Sequence, residues 1–418
     1  MSAAEPIVSE VDVDAIPLEQ IDVSDPKLYQ EDTYVPYFAR LRREAPVHYR
    51  EDGMYGSFWS VSKFRDIMHV ETHPEIYSSK AKLGGISITD RPIKYRRSSF
   101  ISMDPPRHDE QRKAVSPIVG PQNLKNMEGV IRERTCQVLD GLPRGETFDW
   151  VQHVSIELTT LMLATLFDFP VDEKDKLTFW SDCATQDVKA GGIVDSEDKR
   201  LEILSEALER FTALWHERKN APPRFDLISM LAHAEATKDL VDDPMEYLGN
   251  LTLLIVGGND TTRNSMSSGL WALGKNPAEY QKLRENPSLV PSMVSEIIRW
   301  ASPIIHMRRT AVADTELGGQ QIKEGDKVVM WYVSGNRDDE VIERPDEFII
   351  DRKRARQHMS FGFGVHRCVG NRLAELQLQI LWEEIMNRYP VIEVMDEPTR
   401  IYSNFIHGIS SLPVRIPA

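Results

Sequence analysis

The stretch FGFGVHRCVG at residues 361–370 decides how this chain is interpreted. Its glycines at positions 362, 364 and 370 permit backbone conformations and close approaches that a Cβ atom would prevent. The next residues, 371–378, are strong helix formers, so Cys368 is predicted to lie near a helix N-terminus. Free N–H groups and the helix dipole favour the thiolate there, and the thiolate is the form of cysteine that binds a metal ion.

Two other uses of Cys368 need partners that the sequence does not clearly supply. Structural zinc takes about four Cys or His ligands, whereas Cys136, Cys183 and Cys368 lie far apart. A nucleophilic cysteine hydrolase needs a partner base, and His366 is in a loop, where its ring need not face the sulfur. A lone cysteine is most often an inert core residue, but the glycine spacing argues against that interpretation.

The loop resembles the cysteine motif of the cytochrome P-450 haem-thiolate monooxygenases, F-x-x-G-x-x-x-C-x-G, with Phe361, Gly364, Cys368 and Gly370 in the fixed places. The resemblance implies that Cys368 is the axial iron ligand of haem b (iron protoporphyrin IX) and favours O–O cleavage. It also implies that His366 binds a haem propionate and that Phe361, Gly364 and Gly370 form the cofactor-binding loop. The implied fold is mainly α with a minor β part, the family's prism fold, with haem between a long oxygen-activation helix and the Cys loop.

A second segment points the same way. An apolar run at 251–256 leads into GGNDTT at 257–262, which predicts a long helix interrupted by paired glycines. If the Thr261 hydroxyl bonds to the carbonyl of Gly257, the helix would bend and leave a groove. An acid beside an alcohol suits proton transfer into a buried pocket, although a buried helix with a polar stripe is the alternative. The segment is similar to the family's A/G-G-x-D/E-T motif, which implies that Asp260 and Thr261 are catalytic and that Gly257 lies at the cofactor.

A third motif is structural. Glu296 and Arg299 are three residues apart on a predicted helix, where they share a face and can pair. Their apolar neighbours predict partial burial, and the pair resembles the family's E-x-x-R signature. The family often adds an arginine in a P-x-R-F stretch, but this chain has PDEF at 345–348. We expect another basic group, such as Arg352 or His358, to take its place.

Haem carboxylates removed from water need cationic or strong donor partners. The stretch DPPRHDEQR at 104–112 is similar to the family's D-P-P-x-H-x-x-x-R helix start, which implies that His108 and Arg112 bind the propionates. Arg309 occurs where the family often supplies another arginine. For each of these residues, an ordinary surface charge is the alternative.

Length and composition limit the domain organisation. With 418 residues, 41% of them hydrophobic, the chain can bury a large core. No linker divides it, so we expect one catalytic domain over residues 33–418. Residues 1–32 carry nine acidic residues and one lysine, out of a net charge of −15 for the whole chain. We expect this acidic arm to be extended over the surface or partly disordered.

Composition also excludes several classes of protein. The start has no basic and apolar regions of a signal peptide, and no apolar run approaches the roughly 20 residues that span a bilayer. Few, widely spaced cysteines indicate a reducing compartment, so we expect a cytoplasmic enzyme without a membrane anchor. An acidic chain without a long basic stripe is not expected to bind nucleic acid.

A basic cluster suggests how electrons arrive. Residues 352–356 hold four cations, which with Arg112, Lys113, Arg367 and Arg372 would make the cysteine side locally basic. Such a patch suits an acidic ferredoxin, although a solvated loop is the alternative. No reductase domain is fused to the chain, so we expect a ferredoxin with an NAD(P)H-dependent ferredoxin reductase, and O2 as co-substrate.

The expected substrate is a linear apolar molecule. Residues 249–267 and 358–362 look like the bacterial alkane and fatty-acid terminal hydroxylases, which implies ω-hydroxylation of medium-chain alkanes, fatty acids or similar molecules. The same chemistry on a terpene or sterol is the alternative, and a haem sensor without turnover is a third possibility that the Asp260-Thr261 pair argues against. Apolar positions near the expected pocket favour an apolar guest, and the expected contacts are Leu253, Val256, Gly257, Ile304, Ile305, Met307 and Phe405.

Overall fold

The computed structural model describes residues 11–418, which are mostly helical with small sheets. The helices are α1 (Pro26–Gln30), α2 (Val35–Glu44), α3 (Phe64–Thr72), α4 (Arg107–Val115), α5 (Pro121–Asp140), α6 (Glu157–Phe167), α7 (Asp175–Thr185), α8 (Glu197–Lys219), α9 (Leu227–His233), α10 (Pro244–Lys275), α11 (Pro277–Glu285), α12 (Val290–Ala301), α13 (Tyr332–Gly335) and α14 (Asn371–Arg388). The strands are β1 (Val47–Gly53), β2 (Gly56–Val61), β3 (Tyr77–Ser78), β4 (Thr147–Asp149), β5 (His306–Ala311), β6 (Thr315–Leu317), β7 (Gln320–Ile322), β8 (Lys327–Trp331), β9 (Glu393–Val394), β10 (Thr399–Arg400), β11 (Ile409–Ser411) and β12 (Pro413–Arg415).

The described chain forms two compact units. The first unit contains the described residues up to Arg91 together with Ser268–Arg367 and Thr399–Ser410, and the second contains Pro92–Ser267, Cys368–Pro398 and Ser411–Ala418. The chain passes between the units several times, so no single linker marks their boundary in the sequence.

The first unit is built on a five-stranded sheet in the order β1-β2-β8-β5-β3. Strands β2 and β8 are parallel, and the other neighbours are antiparallel. Turn glycines at 53 and 56 between the two apolar stretches favour the β1–β2 hairpin, and the apolar run at 328–331 favours β8. Helices and loops cover the sheet with apolar side chains in two buried clusters.

Residues 11–32 are packed, which differs from the expected extended or partly disordered arm. Two short 3-10 turns and helix α1 form there. Ile21, Val23 and Tyr29 are buried in one of the apolar clusters of the first unit. The prediction of an arm relied on the acidic residues and gave too little weight to the apolar residues between them. Residues 1–10, the rest of the predicted arm, lie outside the described residues.

The second unit is mainly helical. Helices α4 to α9, most of α10 and the start of α14 enclose one large apolar cluster, and β4, β12 and β9 form a small antiparallel sheet. Across residues 11–418, no helix combines the length and the apolar content needed to span a bilayer.

Helix α10 is helical throughout, so the predicted interruption at the paired glycines is wrong. Gly258 of this pair, and Gly249 earlier in the helix, serve close packing instead. A Cβ atom on Gly258 would lie 2.7 Å from Cδ2 of Leu163 in α6, and one on Gly249 would overlap the carbonyl oxygen of Ser98. Tertiary packing of the helix outweighs the low helix propensity of glycine here.

Candidate active site

The cysteine loop has the conformation that its glycines permit. Gly362 and Gly364 both have φ of +63°, a region that favours glycine. A 3-10 turn follows at Gly364–His366, and α14 begins three residues after Cys368, with Gly370 as its N-cap. Cys368 is exposed. The predicted position of this cysteine just before a helix N-terminus is therefore found.

A buried carboxylate that the sequence interpretation missed supports this loop. Glu71 accepts hydrogen bonds from the Phe363 N–H and from the Tyr332 hydroxyl. Arg309 Nη2 lies 3.7 Å from Glu71 Oε1, and its Nη1 donates to the carbonyl of Arg308. Burial raises the pKa of the Glu71 carboxyl, and the charge of Arg309 opposes that rise. Glu71 thus connects the loop to strand β5, where Arg309 is buried.

The sequence contained a signal for Glu71. In α3, Phe64, Ile67 and Val70 form the apolar face, and Glu71 falls one turn after Ile67 on that same face. An acid on the buried face of an amphipathic helix needs a partner. That pattern would have marked Glu71 for attention, although not its partners.

Helix α4 presents two of the predicted propionate ligands. His108 and Arg112 are one turn apart, so they share a face of the helix. His108 is buried, and its Nδ1 lies 2.7 Å from Asp109 Oδ1. Burial lowers the pKa of His108 while Asp109 opposes that change.

His366, another predicted propionate ligand, lies in the first unit. Its Nε2 is 3.0 Å from Oγ of Ser79.

Thr261 makes the hydrogen bond that the sequence predicted. Its hydroxyl donates to the Gly257 carbonyl at 3.1 Å. The bond leaves the helix continuous, because a threonine hydroxyl can bond to the carbonyl one turn back inside a regular helix. Gly257 itself is exposed and has no neighbouring atom where its Cβ would be.

Asp260 is fully buried within a polar network. Ser181 and Thr185 of α7 each donate a hydroxyl to its carboxylate at 3.1 Å. Arg263 Nη2 donates to Asp260 Oδ1 at 2.9 Å and to Asp182 Oδ1 at 2.9 Å. Burial raises the pKa of Asp260, and Arg263 opposes that rise. Because the Asp182 side chain is half exposed, the network runs from a buried acid towards the surface of its own unit.

The E-x-x-R pair is buried and has a third member. Arg299 donates to both oxygens of Glu296, with distances of 2.7 and 2.8 Å. Arg352 donates to the same carboxylate at 3.0 and 3.2 Å. Of the two basic groups expected to replace the missing arginine, Arg352 does so. His358 is buried nearby, and burial with the charge of Arg299 lowers its pKa to about 4.

The predicted substrate contacts divide between the units. Leu253 and Val256 are half-buried on α10 in the second unit. Ile304, Met307 and Phe405 are half-buried in the first, where Ile304 pairs with Ile406 in an isolated bridge. The prediction for Ile305 is not supported, because its side chain is fully buried in an apolar core cluster of the first unit. Ile304 and Met307 pack instead against the other apolar cluster of that unit.

A sequence model of the family described as cytochrome P-450 matches residues 189–416. The chain belongs to the cytochrome P-450 family. Linalool 8-monooxygenase of Pseudomonas putida is 37% identical over 405 residues, which cover 95% of this chain and 99% of that protein. The steroid C26-monooxygenase of Rhodococcus jostii is 31% identical and covers 95% of this chain and 84% of that protein. The solved structure of cytochrome P-450-153 from Novosphingobium aromaticivorans is 48% identical, with a TM-score of 0.89, covering 94% of this chain and 99% of that one.

The cofactor of a cytochrome P-450 is haem b, held through a cysteine thiolate, and the donor set of this chain fits it. Within residues 11–418, no group of three or more Cys, His, Asp or Glu side chains could hold a metal ion. A single exposed thiol would suit haem iron, because the porphyrin itself would supply most of the ligands of the metal. A Cβ atom on Gly364 would overlap the carbonyl oxygen of Glu71, so the loop conformation before Cys368 depends on glycine.

This cytochrome P-450 is a monooxygenase that uses O2 and electrons from redox partners. Cys368 is the cysteine that completes the motif; Cys183 is buried in the core and Cys136 bonds to Glu384. The ring of Phe361, the first motif residue, lies 5.3 Å from that of His358.

Proposed function

We propose that this cytochrome P-450 hydroxylates the terminal methyl of medium-chain alkanes, fatty acids or similar linear apolar molecules. One face of α10 carries the proposal: Leu253, Gly257 and Thr261 recur every four residues and therefore line the same side of the helix. On this face, a substrate beside the Thr261–Gly257 hydrogen bond would contact the aliphatic side chain of Leu253 and the backbone of Gly257, which has no side chain. The resemblance of residues 249–267 to alkane and fatty-acid terminal hydroxylases supports the same substrate class.

Terminal attack requires positioning, because inner C–H bonds of a chain are weaker than those of its terminal methyl. The protein must therefore present only the chain end to the reacting centre. We assign this role to Leu253 and Val256 of α10 and to Ile304, Met307 and Phe405 of the first unit. Each of these side chains is half-buried, which leaves part of its surface for a guest.

Haem b bound through Cys368 supplies the oxidising chemistry of O2 activation. We assign its propionates to His108, Arg112, His366 and Arg309. The haem-side proton donor in this proposal is Thr261, whose hydroxyl now donates to the Gly257 carbonyl and can rotate away from it. Asp260 restores the proton, since the burial that raises its pKa makes the carboxyl a better proton carrier near neutral pH.

The Thr261→Ala variant is expected to keep a normal haem spectrum but to divert electrons to hydrogen peroxide. Without the hydroxyl, proton delivery fails, and the product formed per NADH consumed should fall by about tenfold or more. Thr262→Ala is the matched control, because Thr262 is the adjacent buried threonine one position around the helix. Both variants are assayed for product and peroxide; tightly coupled hydroxylation by Thr261→Ala would contradict the role of Thr261.

We propose a ferredoxin as the electron donor. Lys353, Arg354, Arg356 and Arg367 are exposed and close in sequence to Cys368. An acidic partner would be attracted to these cations and would dissociate again at moderate salt. We therefore expect the rate at which ferredoxin reduces the enzyme to fall as ionic strength rises.

Octane and dodecanoic acid are the first substrates to test, with a generic ferredoxin, ferredoxin reductase and NADH. Mass spectrometry of the products should show terminal alcohols as the main products. Subterminal products, or none from a protein with a normal CO spectrum, would contradict the terminal linear-chain proposal.

A terpene or sterol is the alternative substrate. The observation that favours it is the identity with a relative named linalool 8-monooxygenase, 37% over nearly the whole chain, and with a relative named steroid C26-monooxygenase. Linalool therefore belongs in the same assay, and its preferential oxidation would select this alternative.

A further inference from the structure

A fully buried histidine on β5, His306, uses both ring nitrogens to bind backbone atoms. The Ile88 N–H donates to its Nε2 at 3.0 Å, and its Nδ1 donates to the Asn404 carbonyl at 2.7 Å. Because Nε2 accepts an amide proton, the ring carries its single proton on Nδ1. The hydrogen bonds therefore define one neutral tautomer.

These two bonds reach two different loops of the first unit. On one side, the Arg308 N–H donates to the Ile86 carbonyl at 2.8 Å, two residues before Ile88, which His306 binds. On the other side, the Ile305 N–H donates to the Phe405 carbonyl at 2.9 Å. The imidazole of His306 thus joins β5 to residues 86–88 and to residues 404–405 at the same point.

The ring of His306 also packs against aromatic side chains. Its centroid lies 5.2 Å from that of Trp331 and 5.4 Å from that of Phe405, the latter edge-on. Phe405 is one of the proposed substrate contacts, and two others, Ile304 and Met307, lie within two residues of His306 on the chain. His306 is therefore in contact with, or beside, all the proposed contacts of the first unit.

Charged side chains also bind the loop that contains Ile88. Lys327 Nζ donates to the Ile88 carbonyl at 3.0 Å and to Asp90 at 2.7 Å, and Arg308 also pairs with Asp90. Burial, aided by the positive charges of Arg308 and Lys327, lowers the pKa of His306 to about 4. The ring is neutral at physiological pH, as the Ile88 hydrogen bond requires.

We propose that His306 is a positioning residue for regioselectivity, holding residues 86–88 and 404–405 on β5 so that Phe405, Ile304 and Met307 present one carbon of the substrate. The substrate contacts rest on the proposed function, whereas the two hydrogen bonds do not. Losing one of these hydrogen bonds should shift the equilibrium between the held and released positions of its loop about fivefold. This is the change expected for a hydrogen bond with a net contribution of about 1 kcal/mol.

Two variants separate the two bonds. The amide of His306→Asn can reach the Asn404 carbonyl in place of Nδ1 but leaves the Ile88 N–H without its acceptor. The longer His306→Gln can accept from Ile88 in place of Nε2. The control is His48→Asn, because His48 is also buried and bonds to a backbone carbonyl, that of Leu18 at 2.9 Å, on β1.

The first measurement is the product ratio on octane, dodecanoic acid and linalool. We expect His306→Asn to change the ratio of major to minor product about fivefold, His306→Gln to change it less, and His48→Asn to leave it unchanged. An unchanged ratio in both His306 variants, or an equal change in His48→Asn, would overturn the proposal. A wild-type enzyme that forms no terminal alcohol rejects the linear-chain proposal instead, and the ratio is then read on the linalool products.

The second measurement needs no substrate. Hydrogen exchange with mass spectrometry should show faster exchange of the peptide containing Ile88 in His306→Asn, but not in His48→Asn. Unchanged exchange of this peptide would also overturn the proposal, even if no probe molecule is oxidised.

Discussion

The Cys368→Ser variant is expected to lose the CO-bound absorbance of a thiolate-ligated haem and all measurable hydroxylation. A serine hydroxyl stays protonated under conditions in which a cysteine close to a helix N-terminus ionises. It therefore cannot donate electron density to iron as a thiolate does. The CO difference spectrum and product analysis measure the two losses independently.

Cys136→Ser is the control for this variant. Cys136 is partly exposed and bonds to Glu384 on α14. Cys136 itself lies far from the glycine loop in the sequence. Its replacement should leave spectrum and turnover close to those of the wild type. A thiolate-type spectrum retained in Cys368→Ser would show that another residue is the ligand.

The Glu296→Ala variant is expected to lose about 3 to 5 kcal/mol of unfolding free energy, because it leaves buried charge without a partner. Glu296 is 0% exposed and receives hydrogen bonds from Arg299 and Arg352 as well as from the Ile349 N–H. Removing the carboxylate leaves two guanidinium groups facing each other without a counter-ion. Denaturant unfolding followed by circular dichroism measures the loss.

The matched control is Glu347→Ala. Glu347 also pairs with an arginine three residues away, Arg344, but both side chains are more than half exposed. Solvent screening leaves such an exposed pair with little effect on the free energy of unfolding. If Glu296→Ala destabilised the protein no more than Glu347→Ala, the buried triad would not stabilise the fold.

Contacts between residues one helical turn apart were predictable from the sequence. The Thr261–Gly257 hydrogen bond and the Glu296–Arg299 pair both follow from helical spacing, because positions three or four apart share a face. The β1–β2 hairpin was also predictable from local turn residues. In each case the partner lies within a short stretch of the chain.

Contacts between distant residues were not predictable. Glu71 and Phe363 are 292 residues apart, so no spacing in the sequence connects this carboxylate to the cysteine loop. The α7 hydroxyls that bind Asp260 were missed for the same reason. Ile305 is fully buried in an apolar cluster whose other members are mostly distant in the sequence. Its neighbours in the chain do not reveal this burial.

The central sheet has a consequence for synthesis on the ribosome. Trp331 of β8 donates to Ser60 of β2, which precedes it by 271 residues. At about 5–20 residues per second, β2 is complete roughly 15 to 50 s before its parallel neighbour is made. During that interval the apolar edge of the nascent hairpin lacks its partner strand, so the yield of folded enzyme should depend on how well the cell protects an unfinished sheet from aggregation.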